Sequence, residues 1–582
     1  MNKKFACLAL GLTIISAGAS AQGLHKEINV DQKIDPIKRD ASRINILPSL
    51  QLPALSNSQL PFSDRVVTSR LSDSSPTLAP LAFGDKLSIS PYRGYVSLGL
   101  GAPKFIADFS AGYRIIDSER SHLNIWSQYC GDIYSSTNLD GNSNTTWNDH
   151  SATIGLDLHQ KIRQNAALTA GLNYEFGHHT VPYLGSDHFG QNTSRVNADM
   201  AFSSKNSGLD FDAAIRYRHF GFYHLSDIES LRQDFESKVT RKTVRQNLFG
   251  ATLGASLPFS ESSALNLDID ADFLCTGLHD RPTYPYSSIQ NLAISDSETT
   301  GIFAITPYYS LQSSTVSATI GAKLNISTGN DKTFHVAPEV AFAWTPSQVF
   351  GFEAKLKGGS YINPVSELYD VSPYLSPYMA YRPSHIPYAL DARMSVGPFF
   401  GAYLEIFGGY AKASNWLMPV YSESYPGYGI FENTTLTAWH AGAAIGYDYR
   451  DVFSVRASYE TAPNDYDHSL YEWRDRARHV FNAQLGVRPF KPLSVTLGWE
   501  FRAGRRVYGF VPSNPDGLFD IYLPEATSLG CVSDLSLGAT YTFTERFSVF
   551  ARGGNLLNRR YRYIGMRTSQ GINGMIGASL KF

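Results

Sequence analysis

Three aspartates at alternate positions are the clearest candidates for ion chemistry in this chain. Asp268, Asp270 and Asp272 lie where apolar and polar residues alternate, so they share one face of a strand at a spacing of about 7 Å. One interpretation is an acidic ladder that attracts cations in a lumen, or part of a calcium site. The calcium-loop pattern requires glycine after the third acid, where Phe273 stands. The other interpretation is a polar wall whose carboxylates are solvated or paired with Lys or Arg of neighbouring strands.

Aromatic residues in two long connections are candidates for binding a ligand or a partner protein. Rigid aromatic rings at an extracellular mouth are well suited to docking. The same residues could instead pack the connections over the rest of the protein or lie at the lipopolysaccharide boundary, and the sequence leaves both interpretations open. The candidates are Tyr369, Tyr374 and Tyr378 in the connection 362–386, and Trp416, Tyr421, Tyr425 and Tyr428 in the connection 415–434.

Patterns for metal binding and catalysis carry less weight. His178, His179 and His188 fall in one predicted external loop, 178–192, but no carboxylate or cysteine spacing accompanies them. We therefore predict no metal and no cofactor. The sequence has no Gly-x-Ser-x-Gly, His-Glu-x-x-His or phosphate-loop pattern, which predicts that the chain is not an enzyme.

The elements that must position these residues are β-strands. From about residue 93 onward the period-two alternation dominates, as in 168–176 and 493–501. Turn signals separate about 22 strands, and the links between them alternate between short and long. This asymmetry is typical of an all-β, antiparallel transmembrane barrel with tight periplasmic turns and long external loops. The alternative is a large extracellular array of β-sandwiches, which has no reason to sort its links in this way.

Composition and the N-terminus predict the compartment. Only 18% of the 582 residues are charged and 13% are aromatic, whereas a soluble chain is roughly 25% charged. The net charge of −2 gives no reason to expect nucleic acid as a partner. Lys3 and Lys4 precede the apolar run 5–15, and Ala19-Ser20-Ala21 is a small-residue cleavage pattern, so residues 1–21 are predicted to be a signal peptide. The chain is expected in the outer membrane of a Gram-negative bacterium.

Residues 22–92 differ in character from the predicted barrel, residues 93–582. They hold seven prolines, many serines and little sustained periodicity. Such a segment cannot bury enough apolar area to form a large folded domain. We predict a short, extended periplasmic arm that could gate the lumen.

The C-terminal region resembles the final hairpin of TonB-dependent receptors of the outer membrane. The resemblance rests on Gly-Asn-Leu-Leu-Asn-Arg-Arg-Tyr at 554–561 and on the terminal Phe582. That family has a barrel of about 22 strands with a plugged lumen. The arm is too short for the usual plug, and its 31–36 and 44–48 segments are similar to those of a plugless subgroup of receptor-like barrels. The connection that begins Asn363-Pro364 is also similar to that subgroup.

The resemblance implies an outer-membrane transporter or receptor of TonB-dependent type that lacks a full plug and moves an unidentified solute. Its expected partners are outer-membrane lipid and a separate plug, a lipoprotein or a periplasmic energy-coupling protein. The alternative is a non-transporting barrel that scaffolds a partner lipoprotein or a periplasmic complex. A diffusion pore is a third interpretation, although porins usually have about 16–18 strands.

Overall fold

Strands make up nearly all of the regular structure in the part of the chain that the computed structural model describes. No helix within that part is long and apolar enough to cross a membrane. The described residues are 92–137, 144–163, 165–182, 188–205, 208–225, 244–278, 297–329, 333–371, 381–421, 429–450, 452–462, 464–465, 477–512, 522–528, 530–561 and 568–582.

Twenty-five strands and one short helix follow one another along these residues. The first group is β1 Gly94–Ala102, β2 Phe105–Asp117, β3 Ser121–Thr137, β4 Asn144–Arg163, β5 Ala166–Pro182, β6 His188–Lys205, β7 Asp210–Leu225, β8 Val244–Ser260 and β9 Ser263–Leu278. The second group is β10 Ser297–Gln312, β11 Val316–Thr328, β12 Phe334–Ser347, β13 Phe350–Tyr361, α1 Val365–Val371, β14 Ser384–Phe399, β15 Ala402–Tyr421, β16 Gly429–Tyr449 and β17 Phe453–Thr461. The last group is β18 Asn464–Asp465, β19 His479–Phe490, β20 Leu493–Ala503, β21 Arg506–Pro512, β22 Tyr522–Ser528, β23 Val532–Thr542, β24 Phe547–Gly554 and β25 Asn573–Lys581.

The main sheet closes on itself into a barrel. Each strand pairs antiparallel with its neighbours along the chain, and β1 pairs with both β2 and β25. The two-residue β18 pairs only with β16, and β21 and β22 form a separate ribbon in the link between β20 and β23. Twenty-two strands therefore complete the barrel, which confirms the predicted all-β antiparallel fold and its strand number.

The two faces of the barrel wall differ as the alternation predicts. On β5, Leu172, Tyr174 and Phe176 are 49%, 45% and 40% exposed on the outer face. The intervening Asn173 and Glu175 point to the inner face. A continuous exposed band of large apolar side chains would be unfavourable in water and is typical of a barrel whose outer face contacts lipid.

The links sort by length, as predicted. The β8–β9 and β19–β20 turns have two residues each between strands, and both ends of the barrel lie on this short-turn side, where the Gly94 amide donates to the Phe582 carbonyl at 2.8 Å. One exception is the β1–β2 link, which is also short although it lies on the opposite side.

Several residues predicted in external loops belong to strands instead. His178 and His179 are in β5, His188 begins β6, and Trp416 and Tyr421 are in β15. The hydrophobic alternation stops where the outer face leaves the apolar band, but backbone pairing continues through polar residues on both strands. Loss of the alternation therefore marked the end of the band and not the end of the strand.

The motif at 554–561 forms a fixed turn between β24 and β25. Asn555 has a left-handed backbone (φ 45°). Its side-chain nitrogen Nδ2 donates to the carbonyls of Arg559 and Gln570 at 2.6 and 2.8 Å. Its side-chain oxygen accepts from the Arg559 amide at 3.0 Å. Asn tolerates this backbone better than most residues and supplies both donor and acceptor, which explains its place in the motif.

Candidate functional site

The three predicted aspartates lie on the inner face of β9, each next to a partner from another strand. Arg216 on β7 donates to both oxygens of Asp272 at 2.7 and 2.8 Å. Lys323 on β11 lies 3.9 Å from Asp270, and Asp268 accepts from the Tyr308 hydroxyl. Cross-strand partners therefore offset the carboxylate charge at two of the three positions.

Glycines on the middle strand let some of these pairs span three strands. Arg216 crosses Gly250 of β8 to reach Asp272, and a side chain on Gly250 would clash with the guanidinium. On another part of the wall, His440 of β16 crosses Gly409 of β15 and lies 3.2 Å from Asp391 of β14. Both pairs therefore lie flat against the wall.

The most distinctive inner feature is α1, in the connection between β13 and β14. Pro364 precedes the helix, and its carbonyl accepts from the amides of Glu367 and Leu368 at 3.0 and 3.2 Å. Asn363 donates to the Arg382 carbonyl at 2.6 Å and to the Ser384 hydroxyl at 3.0 Å. The Asn363-Pro364 step therefore starts the helix and ties the two ends of the connection together.

An apolar cluster holds α1 on the inner wall. Val365 is fully buried, and Leu368 and Tyr369 pack with it against Phe220 and Phe222 of β7. Burying a side chain of this size contributes about 1.5–3 kcal/mol. Tyr381 and Leu417 complete the cluster.

Polar contacts fix the orientation of α1. The Val365 amide donates to the Gln246 side-chain oxygen of β8 at 2.6 Å. The Tyr369 hydroxyl shares a hydrogen bond of 2.6 Å with Nδ1 of His179 on β5. Burial raises the pKa of the Tyr369 hydroxyl, so it stays protonated at neutral pH.

Arg195 on β6 makes the strongest polar contact with the helix. Its Nη1 and Nη2 donate to Oδ2 and Oδ1 of Asp370 at 2.9 and 2.5 Å, and Nη2 also donates to the Ser366 carbonyl at 3.3 Å. The guanidinium carbon lies 5.2 and 5.4 Å from the ring centres of Phe220 and Tyr369. Such a bidentate, ring-flanked arginine has a single preferred geometry.

The structure separates the aromatic candidates. Tyr369 lies in the inner-wall site with α1, whereas Trp416 packs against a second cluster around Ile386 and Leu436. Tyr421 is the last residue of β15. Tyr374, Tyr378, Tyr425 and Tyr428 lie outside the described residues.

Sequence reasoning did not identify Arg195, Gln246 or the Phe220–Phe222 pair as site residues. A signal was present, because Arg216, Arg218, Phe220 and Phe222 share one face of β7. Two aromatic residues on an otherwise polar inner face indicate that something apolar covers them. No group of three or more His, Cys, Asp or Glu in the described ranges is arranged to hold a metal ion.

Solved receptors and transporters have a fold similar to that of this chain. The siderophore receptor PirA from Acinetobacter baumannii aligns over 84% of this chain and 80% of its own, with a TM-score of 0.65 and 9% identity. The FrpB iron transporter from Neisseria meningitidis aligns over 84% of this chain and 81% of its own, with a TM-score of 0.63 and 11% identity. The copper transporter OprC aligns over 84% of this chain and 81% of its own, with a TM-score of 0.58 and 14% identity. No protein-family model matches the chain, and neither does any curated protein.

At these identities the likeness is one of fold. The chain has the closed 22-stranded antiparallel barrel of outer-membrane receptors. Its inner-wall site, by contrast, is defined by its own residues on β5–β8 and α1.

Proposed function

We propose that this chain is an outer-membrane transporter of TonB-dependent type that admits a solute through its lumen and lacks a full plug domain. The closed barrel of 22 strands carries the proposal, because a barrel of this size encloses far more space than its own inner side chains fill. The receptors and transporters of similar fold support it.

The dimensions indicate that α1 alone does not close the lumen. Strands about 4.8 Å apart and tilted by about 40° give 22 strands a circumference of about 140 Å and a diameter of about 44 Å between backbones. A seven-residue helix is about 10 Å long and about 10–12 Å wide with its side chains. A further obstruction is therefore required, and we assign it to residues 22–92 or to a separate plug protein.

The position of the first described residue, Tyr92, supports an N-terminal arm. Tyr92 stands two residues before β1 on the short-turn side, where Arg546 of the β23–β24 turn lies 5.5 Å from its ring. This position supports the proposal that residues 22–92 form an arm on the periplasmic side, where an energy-coupling partner would act.

Ion conductance in a planar bilayer tests the proposal. The mature protein is compared with a variant that lacks residues 22–92, with heat-resistant migration on gels as the check for an intact barrel. A silent mature protein and a conducting truncated one support the transporter with a built-in obstruction. Steady conductance from both proteins assigns the obstruction to a separate plug protein. That result also supports the transporter if adding the plug protein abolishes the conductance.

Silence from both forms contradicts the transporter and favours the scaffold. The arm would then serve to bind a lipoprotein or periplasmic complex, and α1 would be one part of a permanently sealed lumen.

A further inference from the structure

We propose that Arg195 and Arg218 form an anion-binding pair on the inner wall, that the carboxylates of α1 mask this pair, and that the transported solute carries carboxylate or phosphate groups. The inference rests on the proposed transport function and adds the chemical class of the solute.

The two arginines are neighbours on the inner face. Arg195 of β6 stands directly opposite Phe220 of β7, and Arg218 is two residues away from Phe220 on the same strand. Diagonal neighbours of this kind are about 7–8 Å apart, well within the reach of two long side chains. Together they can present two guanidinium groups to one ligand, and the planar fork of each matches a carboxylate or a phosphate.

Both arginines pair with the same face of α1. Asp370 accepts two hydrogen bonds from Arg195, and Glu367, three residues earlier, lies 3.6 Å from Nη1 of Arg218. Residues three apart lie on one side of a helix. The helix therefore presents two carboxylates, spaced by one turn, to two arginines.

Three other cations of the inner wall have ion-pair partners on the wall itself. Arg216 pairs with Asp272, Lys357 with Glu339, and Arg393 with Glu405, all between strands of the barrel. Arg195 and Arg218 instead take ion-pair partners from a connection. Glu175 stands opposite Arg195 on β5 and attracts it, but forms no ion pair with it.

Each masking carboxylate on α1 is more exposed to solvent than the arginine with which it pairs. The Arg195 side chain is 14% exposed and that of Asp370 45% exposed, while those of Arg218 and Glu367 are 43% and 60% exposed. Nε of Arg195 is buried and makes no hydrogen bond. An oxyanion that arrives from the lumen can therefore reach the carboxylates first and exchange with them, at Arg218 and at the Arg195 guanidinium, which Phe220 and Tyr369 hold in place.

Titration of the purified, full mature protein with inorganic phosphate and, separately, with succinate tests the proposal by calorimetry. The double variant Asp370→Asn/Glu367→Gln removes the two carboxylates that compete with the probe for the arginines. We expect at least about tenfold tighter binding of one or both probes. This factor corresponds to the release of one charged hydrogen bond of about 1.5 kcal/mol. Adding Arg195→Gln and Arg218→Gln should abolish the gain. Asp370→Asn alone is the fallback if the double variant does not fold.

Asp272→Asn is the matched control, because it frees an arginine whose partner lies on the wall. Tighter binding of phosphate, of succinate or of both supports the anion-binding pair. The probe that gains affinity identifies the group that the two arginines recognise. Unchanged affinity in a folded Asp370→Asn/Glu367→Gln protein, or an equal gain in Asp272→Asn, overturns the proposal. Binding in solution does not depend on conductance, so a silent truncated barrel would refute the transport proposal without deciding this one.

Discussion

Replacing Arg195 by methionine should loosen α1 without unfolding the barrel. The substitution keeps an unbranched apolar side chain between the rings of Phe220 and Tyr369 but removes every hydrogen bond to Asp370 and to the Ser366 carbonyl. A hydrogen bond to a charged group contributes about 1.5–3 kcal/mol. Because Asp370 is nearly half exposed, solvent screening reduces the pair toward the surface value of about 1 kcal/mol. We therefore expect a loss of about 1.5 kcal/mol in docking free energy.

Hydrogen exchange measured by mass spectrometry reads this loss directly. Amides of α1 exchange when the helix leaves the wall, and 1.5 kcal/mol corresponds to roughly tenfold faster exchange of a peptide that covers α1. Peptides from the barrel strands should be unaffected. Arg216→Met is the matched control, since it breaks a bidentate ion pair of the same wall whose acidic partner lies on β9 and not on α1.

Two results would refute this reasoning. Unchanged exchange of α1 in the Arg195→Met protein would show that apolar packing alone holds the helix. Equal acceleration in the Arg216→Met protein would show that the inner wall responds as a whole and that the contact with Arg195 has no special role.

Three further substitutions test other contacts. Phe222→Ala removes a ring from under α1 and should cost about 3–5 kcal/mol, so that α1 loses its exchange protection while the barrel keeps its heat-resistant migration on gels. Gly250→Val puts a side chain where Arg216 lies, and we expect a lower unfolding temperature that Arg216→Ala partly restores. Asn555→Ala removes the contacts that fix the β24–β25 turn and should cost about 1–3 kcal/mol in thermal unfolding.

The barrel could be predicted from the sequence because its signal is local. Each strand repeats the period-two pattern, and the turn residues that separate strands lie next to them in the chain. The same reasoning placed Asp268, Asp270 and Asp272 on one face. It placed His178 and Trp416 in loops because strand pairing beyond the apolar band depends on the partner strand and leaves no apolar alternation.

The inner-wall site could not be predicted in the same way. Tyr369 meets His179 across 190 residues of sequence, and Asp370 meets Arg195 across 175. Seven helical residues are too few to show a helical period. The contact depends on how the closed barrel curves β5–β8 toward the β13–β14 connection, and that curvature is a property of the whole sheet.

The glycines under the three-strand pairs also act as checks on register during assembly. A slip of one residue turns every side chain of a strand to the other face and is excluded by the apolar band. A slip of two residues keeps every side chain on its proper face, so the apolar band does not exclude it. In β8 such a slip would bring Leu248 or Thr252 under Arg216 in place of Gly250, and in β15 it would bring Phe407 or Ala411 under His440 in place of Gly409. In either misalignment the new side chain blocks Arg216 from Asp272 or His440 from Asp391. These charge pairs can therefore form only when three neighbouring strands are aligned correctly.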